Sequence, residues 1–222
     1  DRVTEAVSVA QNSDVVILCV GLDETLEGEE GDTGNSYASG DKVDLLLPQT
    51  QRELVEAVLK VGKPTIVLNM TGSAMDLRVE QEQADAVMQL WYPGARGGKV
   101  VAQLLFGELS PSGKLPVTFY KNTEDLPAFE DYSMKGRTYR YIETEPLYPF
   151  GYGLTYGDVE VSAVSCCGSP AVNGGEITLD SPDAFRLHVK LTNHGQVGTG
   201  EVVQVYIRAE DAPDATPAAK LC

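Results

Sequence analysis

Cysteine and histidine are both scarce in this chain of 222 residues, with four of the first and two of the second. The cysteines fall at Cys19, Cys166, Cys167 and Cys222, and the histidines at His188 and His194. Neither a disulfide framework nor a zinc-ligand spacing emerges from those positions. Cys19, inside an apolar run, reads as a small buried hydrophobe. Basic residues are also in short supply: 17 Lys and Arg face 33 Asp and Glu, for a net charge of -16. Such a field repels phosphate backbones and anionic lipid, so neither nucleic acid nor a membrane surface is expected as a partner. No apolar run reaches the ~18 residues of a bilayer-spanning helix. The opening DRVTEAVSVAQ has no basic region leading into an apolar stretch. No secretion signal is read there, and a cytoplasmic, reducing location is the expectation.

What is present is apolar material, 42 % of the residues, enough to bury a core. Val3, Ala6, Val7 and Ala10 recur at helical spacing. DVVILCVG is then a continuous apolar run, which suits a strand covered on both faces. A second helix is expected after Pro48, with Leu54, Val55, Val58 and Leu59 as its stripe and Gly62 as its stop. KPTIVLNM and ADAVMQLWYP read as further buried strands, GGKVVAQLLFG as a helix and GKLPVTF as a short strand. Strands alternating with helices predict a layered α/β/α sandwich with a mostly parallel sheet.

The rhythm changes after PLYPFGYGLTY. DVEVSAV, GEITL, AFRLHVKLTN and GEVVQVYIRAE alternate with period two, Leu187, Val189 and Leu191 on one side and His188 and Lys190 on the other. Turns are expected at Asn173-Gly174-Gly175 and Asn193-His194-Gly195. A partial β-sandwich is therefore predicted over 157–222, after an α/β domain over 1–156. Its four or five strands fall short of the usual ~7, so the second domain is expected to be cut short.

Parallel α/β sheets present ligands to the loops beyond the carboxyl ends of their strands. Here those loops are Gly21 to Asp44, Thr71 to Leu77 and Tyr92 to Gly98. GSAMDL lacks the lysine of a phosphate-binding loop and GARGG lacks the dinucleotide fingerprint, so no cofactor is expected. Ser73 is not in a nucleophile elbow and reads as a turn or cap. The first loop is the unusual one. Its ETLEGEEGD puts five acidic residues into nine, among them Glu27, Glu29, Glu30 and Asp32. If packed, like charge and burial would raise one carboxyl toward the range of a general acid. A calcium-binding loop without the EF-hand register and a plain solvated surface are the alternatives. Trp91 and Tyr92 end a strand and offer either an aromatic stacking surface or packing, and Arg137, Tyr139 and Arg140 read as packing and tethering groups.

Several segments together resemble glycoside hydrolase family 3, the β-glucosidases and β-xylosidases. These are VGLDETLEGEEGD, LLLPQTQRELVEAV, WYPGARGGKVVAQLLFGELSPSGKLPVTF and GRTYRYIETEPLYPFGYGLTY. LTNHGQVGTGEVVQVYI is similar to the fibronectin type III-like domain that accompanies it. The resemblance implies retaining exo-hydrolysis at non-reducing ends of β-linked glucosides or xylosides, GLDETLEGE leaning toward the β-xylosidases. In such enzymes a barrel domain supplies an aspartate nucleophile, and a loop of the α/β domain supplies the acid/base. Carried over by the family's E-x-x-D spacing, Glu29 with Asp32 is the acid/base position and Glu27 is the fallback. Thr33 stands where the family commonly has arginine, which weakens any carry-over of sugar contacts around it. The resemblance also implies a barrel domain of the same parent chain as partner, and without it an inactive piece. A non-enzymatic carbohydrate-binding or scaffolding module is the alternative reading.

Overall fold

The computed structural model describes residues 1–28, 42–128, 130–171, 175–177, 185–208 and 220–221. It divides into two compact units, one of Asp1–Gly98, Leu115–Tyr152 and Gln204–Cys222, the other of Lys99–Lys114 and Gly153–Val203.

In the first unit, α1 (Arg2–Gln11) starts at Asp1, whose carboxylate accepts the Val3 N–H at 3.1 Å. A negative side chain there caps free amides and complements the helix dipole. β1 (Val16–Gly21) follows, then α2 (Gln49–Leu59) and β2 (Thr65–Met70). α2 buries Val55, Val58 and Leu59 and stops before Gly62, whose φ of 74° suits glycine. After β2 come the short α3 (Arg78–Gln83) and β3 (Ala86–Gln89). The sheet has the order β1-β2-β3 and is parallel throughout, in register from Val16 opposite Thr65 to Gly21 opposite Met70. Its core gathers Leu18 and Val20 of β1, Val67 of β2, the α2 stripe, Met75, Leu77 and Phe119. Burying each such side chain stabilises the fold by roughly 1.5–3 kcal/mol.

Three expectations change here. β1 was expected to be covered on both faces, but only Leu18 and Val20 are buried, while Ile17 and Cys19 are exposed. β1 is the outer strand of the described sheet, with one open edge, and its face carrying Ile17 and Cys19 is exposed among the described residues. Cys19 is thus no core residue. GKLPVTF forms no regular strand. It runs beside Leu147–Tyr152 through isolated contacts, Leu115 N–H to Tyr152 O at 2.8 Å and Phe119 N–H to Tyr148 O at 2.9 Å. Pro116, between them, has no N–H to continue a ladder. Helix α3 was not anticipated.

α4 (Gly97–Leu105) leads into the second unit, and α5 (Thr138–Tyr141) is a single turn of the first. In the second unit β4 (Val159–Cys166) pairs antiparallel with β5 (Ser169–Pro170) and with β6 (Leu187–Asn193). Cys167 and Gly168, at φ 49° and 90°, make the two-residue turn from β4 to β5, the left-handed geometry that matches strand twist. A register shift between Val161 and Ala163 bends β4. Ser110, Thr155 and Thr199 share a hydroxyl network, and Lys114 pairs with Glu201 at 2.9 Å. β7 (Tyr206–Ile207) and β8 (Lys220–Leu221) form a small antiparallel pair in the first unit. The turn at Asn173-Gly174 and parts of the GEITL, AFRLHVKLTN and GEVVQVYIRAE runs lie outside the described residues.

Candidate functional site

The carboxyl end of the parallel sheet brings three loops together on one carboxylate. At the end of β1, a Cβ on Gly21 would run into the Met70 carbonyl, so only glycine fits there. Gln51 reads the Gly21 backbone from α2, accepting its N–H at 2.9 Å and donating to its carbonyl at 2.7 Å. The chain then turns under Asp23, which accepts from the Thr25 N–H at 3.0 Å and its hydroxyl at 2.6 Å. Leu26 and Glu27 N–H groups donate to the Asp23 carbonyl at 3.0 and 2.9 Å. This turn aims Glu27 at the loop after β2.

That second loop is held by a polar network. Asn69 donates to Gln89 at 2.6 Å and to Thr71 at 3.1 Å, Gln89 donates to the Thr71 carbonyl at 3.1 Å, and the Thr71 hydroxyl donates to the Ser73 carbonyl at 2.9 Å. Asn69, at 0 % exposure, is fully buried. The third loop leaves β3 through Trp91, whose φ of 56° is a strained left-handed conformation for a tryptophan. Its ring packs edge-on to Phe119 at 6.3 Å, and the turn brings the Tyr92 hydroxyl to Glu27.

Glu27 therefore meets four partners. Its Oε2 accepts the Gly72 N–H at 2.7 Å and the Tyr92 hydroxyl, and its Oε1 accepts the Ser73 hydroxyl and faces the Lys42 ammonium at 3.7 Å. Gly72 has no room for a side chain, because a Cβ would lie 2.8 Å from the Tyr92 ring and 3.2 Å from the Glu27 carboxylate. Burial alone would push the Glu27 carboxyl up, but bonds from Ser73, Tyr92 and Gly72 and the Lys42 charge outweigh it and hold it below the usual range. Burial, the Glu27 bond and the Glu27 charge push the Tyr92 phenol up to about 12. Tyr92 is a proton donor to an ionised Glu27. Lys42 shifts down, because burial outweighs the charges of Glu27 and Asp44. Both members of the pair thus move down, and at 3.7 Å the direct acceptors of Lys42 are the Ala74 carbonyl at 3.2 Å and the Met75 sulfur at 3.1 Å.

Glu29, Glu30, Asp32 and Thr33 lie outside the described residues. Glu27 and Ser73 are brought together, though neither was expected to meet the other. Gly72, Tyr92 and Lys42 complete a cluster that spacing did not reveal. The readable signal was Lys42 itself, a basic residue between acidic neighbours in GDKVD. Arg137 donates to the Ser133 and Ala128 carbonyls at 3.1 Å each, and Arg140 lies 5.7 Å over Tyr139, which stacks on Phe150 at 4.3 Å. These contacts give both arginines packing work. Two cavities, of about 500 Å³ between α1 and β1 and about 400 Å³ beside α2 and α3, are not lined by Glu27, Ser73 or Tyr92.

Comparison with known proteins places these features in a family context. The model of the glycosyl hydrolase family 3 C-terminal domain matches residues 1–156. A xylan 1,4-β-xylosidase of Xylanibacter ruminicola is 42 % identical over 95 % of this chain and 23 % of its own length. A periplasmic β-glucosidase of Salmonella typhimurium is 32 % identical over 99 % of this chain and 28 % of its own. Among solved structures, a β-glucosidase of Erythrobacter marinus superposes with a TM-score of 0.81 and 35 % identity, over 99 % of this chain and 28 % of that one. The chain spans about a quarter of the length of the proteins it matches.

Proposed function

The chain belongs to glycosyl hydrolase family 3, and on that premise we propose that it is the acid/base-bearing portion of a longer retaining β-glycosidase. In this reading residues 1–156 are the α/β sandwich domain and 157–222 a fibronectin type III-like domain. Glu29 protonates the leaving glycosidic oxygen and then serves as base for the water that releases the sugar. The observation that carries the reading is the engagement of Glu27. Three donors and a cation hold that carboxylate ionised at the carboxyl edge of the sheet, which suits a structural anion and leaves the proton-donor role to the next glutamate. The substrates are β-linked xylosides or glucosides removed from non-reducing ends, with xylosides favoured by GLDETLEGE and by the 42 % identity to a xylosidase.

A retaining mechanism needs a second carboxylate about 5–5.5 Å from the first. A barrel domain of the longer chain supplies that nucleophile and most of the sugar pocket, so the 222 residues alone are inactive. The test is Glu29→Gln in the longer protein, assayed on aryl β-xylosides and β-glucosides. Turnover falls on the order of 100-fold or more on substrates with poor leaving groups and much less where the aglycone needs no proton. Unchanged rates on both would remove Glu29 from the mechanism and return the role to Glu27.

A further inference from the structure

Glu27 and Lys42 stand at the two ends of a stretch whose 15 steps of chain, if extended, would reach ~50 Å, yet their charged groups lie 3.7 Å apart. On the near side, Glu27 is bonded to Gly72 and Ser73 after β2 and to Tyr92 after β3. On the far side, Lys42 is bonded to the Ala74 carbonyl and the Met75 sulfur, and Met75 is fully buried. The limb that returns from Lys42 is tied down as well. Asp76 N–H donates to the Leu45 carbonyl at 2.7 Å, and Leu45 N–H donates to the Thr123 hydroxyl at 3.1 Å.

We propose that Glu27 is a positioning residue for the acid/base step. Its carboxylate pins the chain at Glu27, just ahead of Glu29 in sequence, to the loops after β2 and β3 and faces the Lys42 ammonium. This rests on the reading of Glu29 as proton donor. Glu29 is two residues along the chain from the pinned one.

The chemistry at this junction requires a carboxylate. The Gly72 N–H and the Tyr92 hydroxyl converge on one oxygen, and the Ser73 hydroxyl and Lys42 ammonium on the other. A carboxylate accepts at both oxygens, whereas an amide of the same shape offers one acceptor and turns two N–H donors toward the remaining donors. Gly72 and the left-handed Trp91 serve the same junction. The first clears space for the Tyr92 ring and the second swings Tyr92 into place. Strain of this kind persists where surrounding contacts over-determine it.

The experiment uses the longer protein with Glu27→Ala, Glu27→Gln and Lys42→Met, each measured against aryl glycosides of graded leaving-group acidity, with hydrogen exchange followed over residues 70–77. Glu27→Ala is expected to lower kcat/KM on the order of 100-fold for poor leaving groups, the cost of misplacing a catalytic group by about 1 Å. The loss shrinks for activated aglycones, and exchange at Gly72 and Ser73 rises. Glu27→Gln and Lys42→Met each give a smaller loss with the same leaving-group slope, and together they lose less than the sum of the two. Equal losses on all substrates, or unaltered kinetics in Glu27→Ala, would overturn the proposal, as would unchanged exchange. Glu29→Gln in the same series separates the two ideas. If it shows no leaving-group dependence the acid/base reading fails, and the exchange data still decide whether Glu27 pins the chain.

Discussion

The two units of this chain bury their strands very differently. In the parallel sheet, β2 buries Thr65, Val67, Leu68 and Asn69, with Val67 and Asn69 at 0 % exposure. In the antiparallel sheet, β4 buries only Cys166, and Val161 and Leu191 are 53 % and 39 % exposed. A parallel strand between two neighbours with helices packed on the sheet has both faces to fill, which demands a near-continuous apolar run. The β4–β6 pair alternates, with no second layer over its apolar side among the described residues. The first unit therefore has its own core, whereas the second is held by backbone pairing and by polar contacts such as Lys114–Glu201 and the Ser110, Thr155 and Thr199 hydroxyls.

The contrast is sharpest in truncation of apolar side chains. Phe119→Ala should cost on the order of 3–5 kcal/mol, because Phe119 is fully buried, packed between Trp91 and Tyr148. Val161→Ala should stay within about 0.5 kcal/mol. Urea unfolding followed by Trp91, the sole tryptophan, reads the first directly, and hydrogen exchange of β4 and β6 amides reads the second. Equal effects would erase the distinction between the units.

A smaller and pH-dependent effect comes from Glu80 on α3, which is 4 % exposed. Burial pushes its carboxyl up, its own backbone N–H opposes this and Asp76 adds to the rise. A carboxyl whose folded value is raised favours the protonated folded form. Stability is then greatest below the ordinary carboxyl range and falls as pH rises from there through the folded value. Glu80→Gln removes that fall, so the variant should gain on the parent chain at pH 7 and lose the advantage near pH 4. Melting curves at the two pH values test it, and a gain that is the same at both would exclude the account. A further small effect is expected in the second unit. His194 and Glu160 pair at 2.9 Å but are both more than half exposed, so Glu160→Gln should change stability by less than about 1 kcal/mol, within the scatter of a urea titration.

Much of the fold was legible because periodicity survives in the described elements. The apolar runs of β1 and β2, the α2 stripe, α4 and the alternation of β4 and β6 all correspond to elements found. Legibility stopped where burial contradicts polarity. RVEQEQ carries no apolar stripe, yet it forms α3 and buries Glu80. GKLPVTF reads as a strand by composition, but Pro116 interrupts pairing and only isolated bonds form. The candidate site was half visible. The acidic cluster announced Glu27, but its partners Gly72, Ser73 and Tyr92 are 45 to 65 residues away in sequence and meet it only because β1, β2 and β3 are neighbours in one sheet. The strained Trp91 backbone that presents Tyr92 has no signature in residue order.

The most direct test of the account is the product formed by the longer protein carrying Glu29→Ala when an activated aryl β-xyloside is turned over in the presence of azide. With the general base gone, water attacks the glycosyl-enzyme slowly, while azide needs no deprotonation. The account predicts faster turnover with azide and a glycosyl azide of retained β configuration. Native-like hydrolysis with no azide adduct would contradict it.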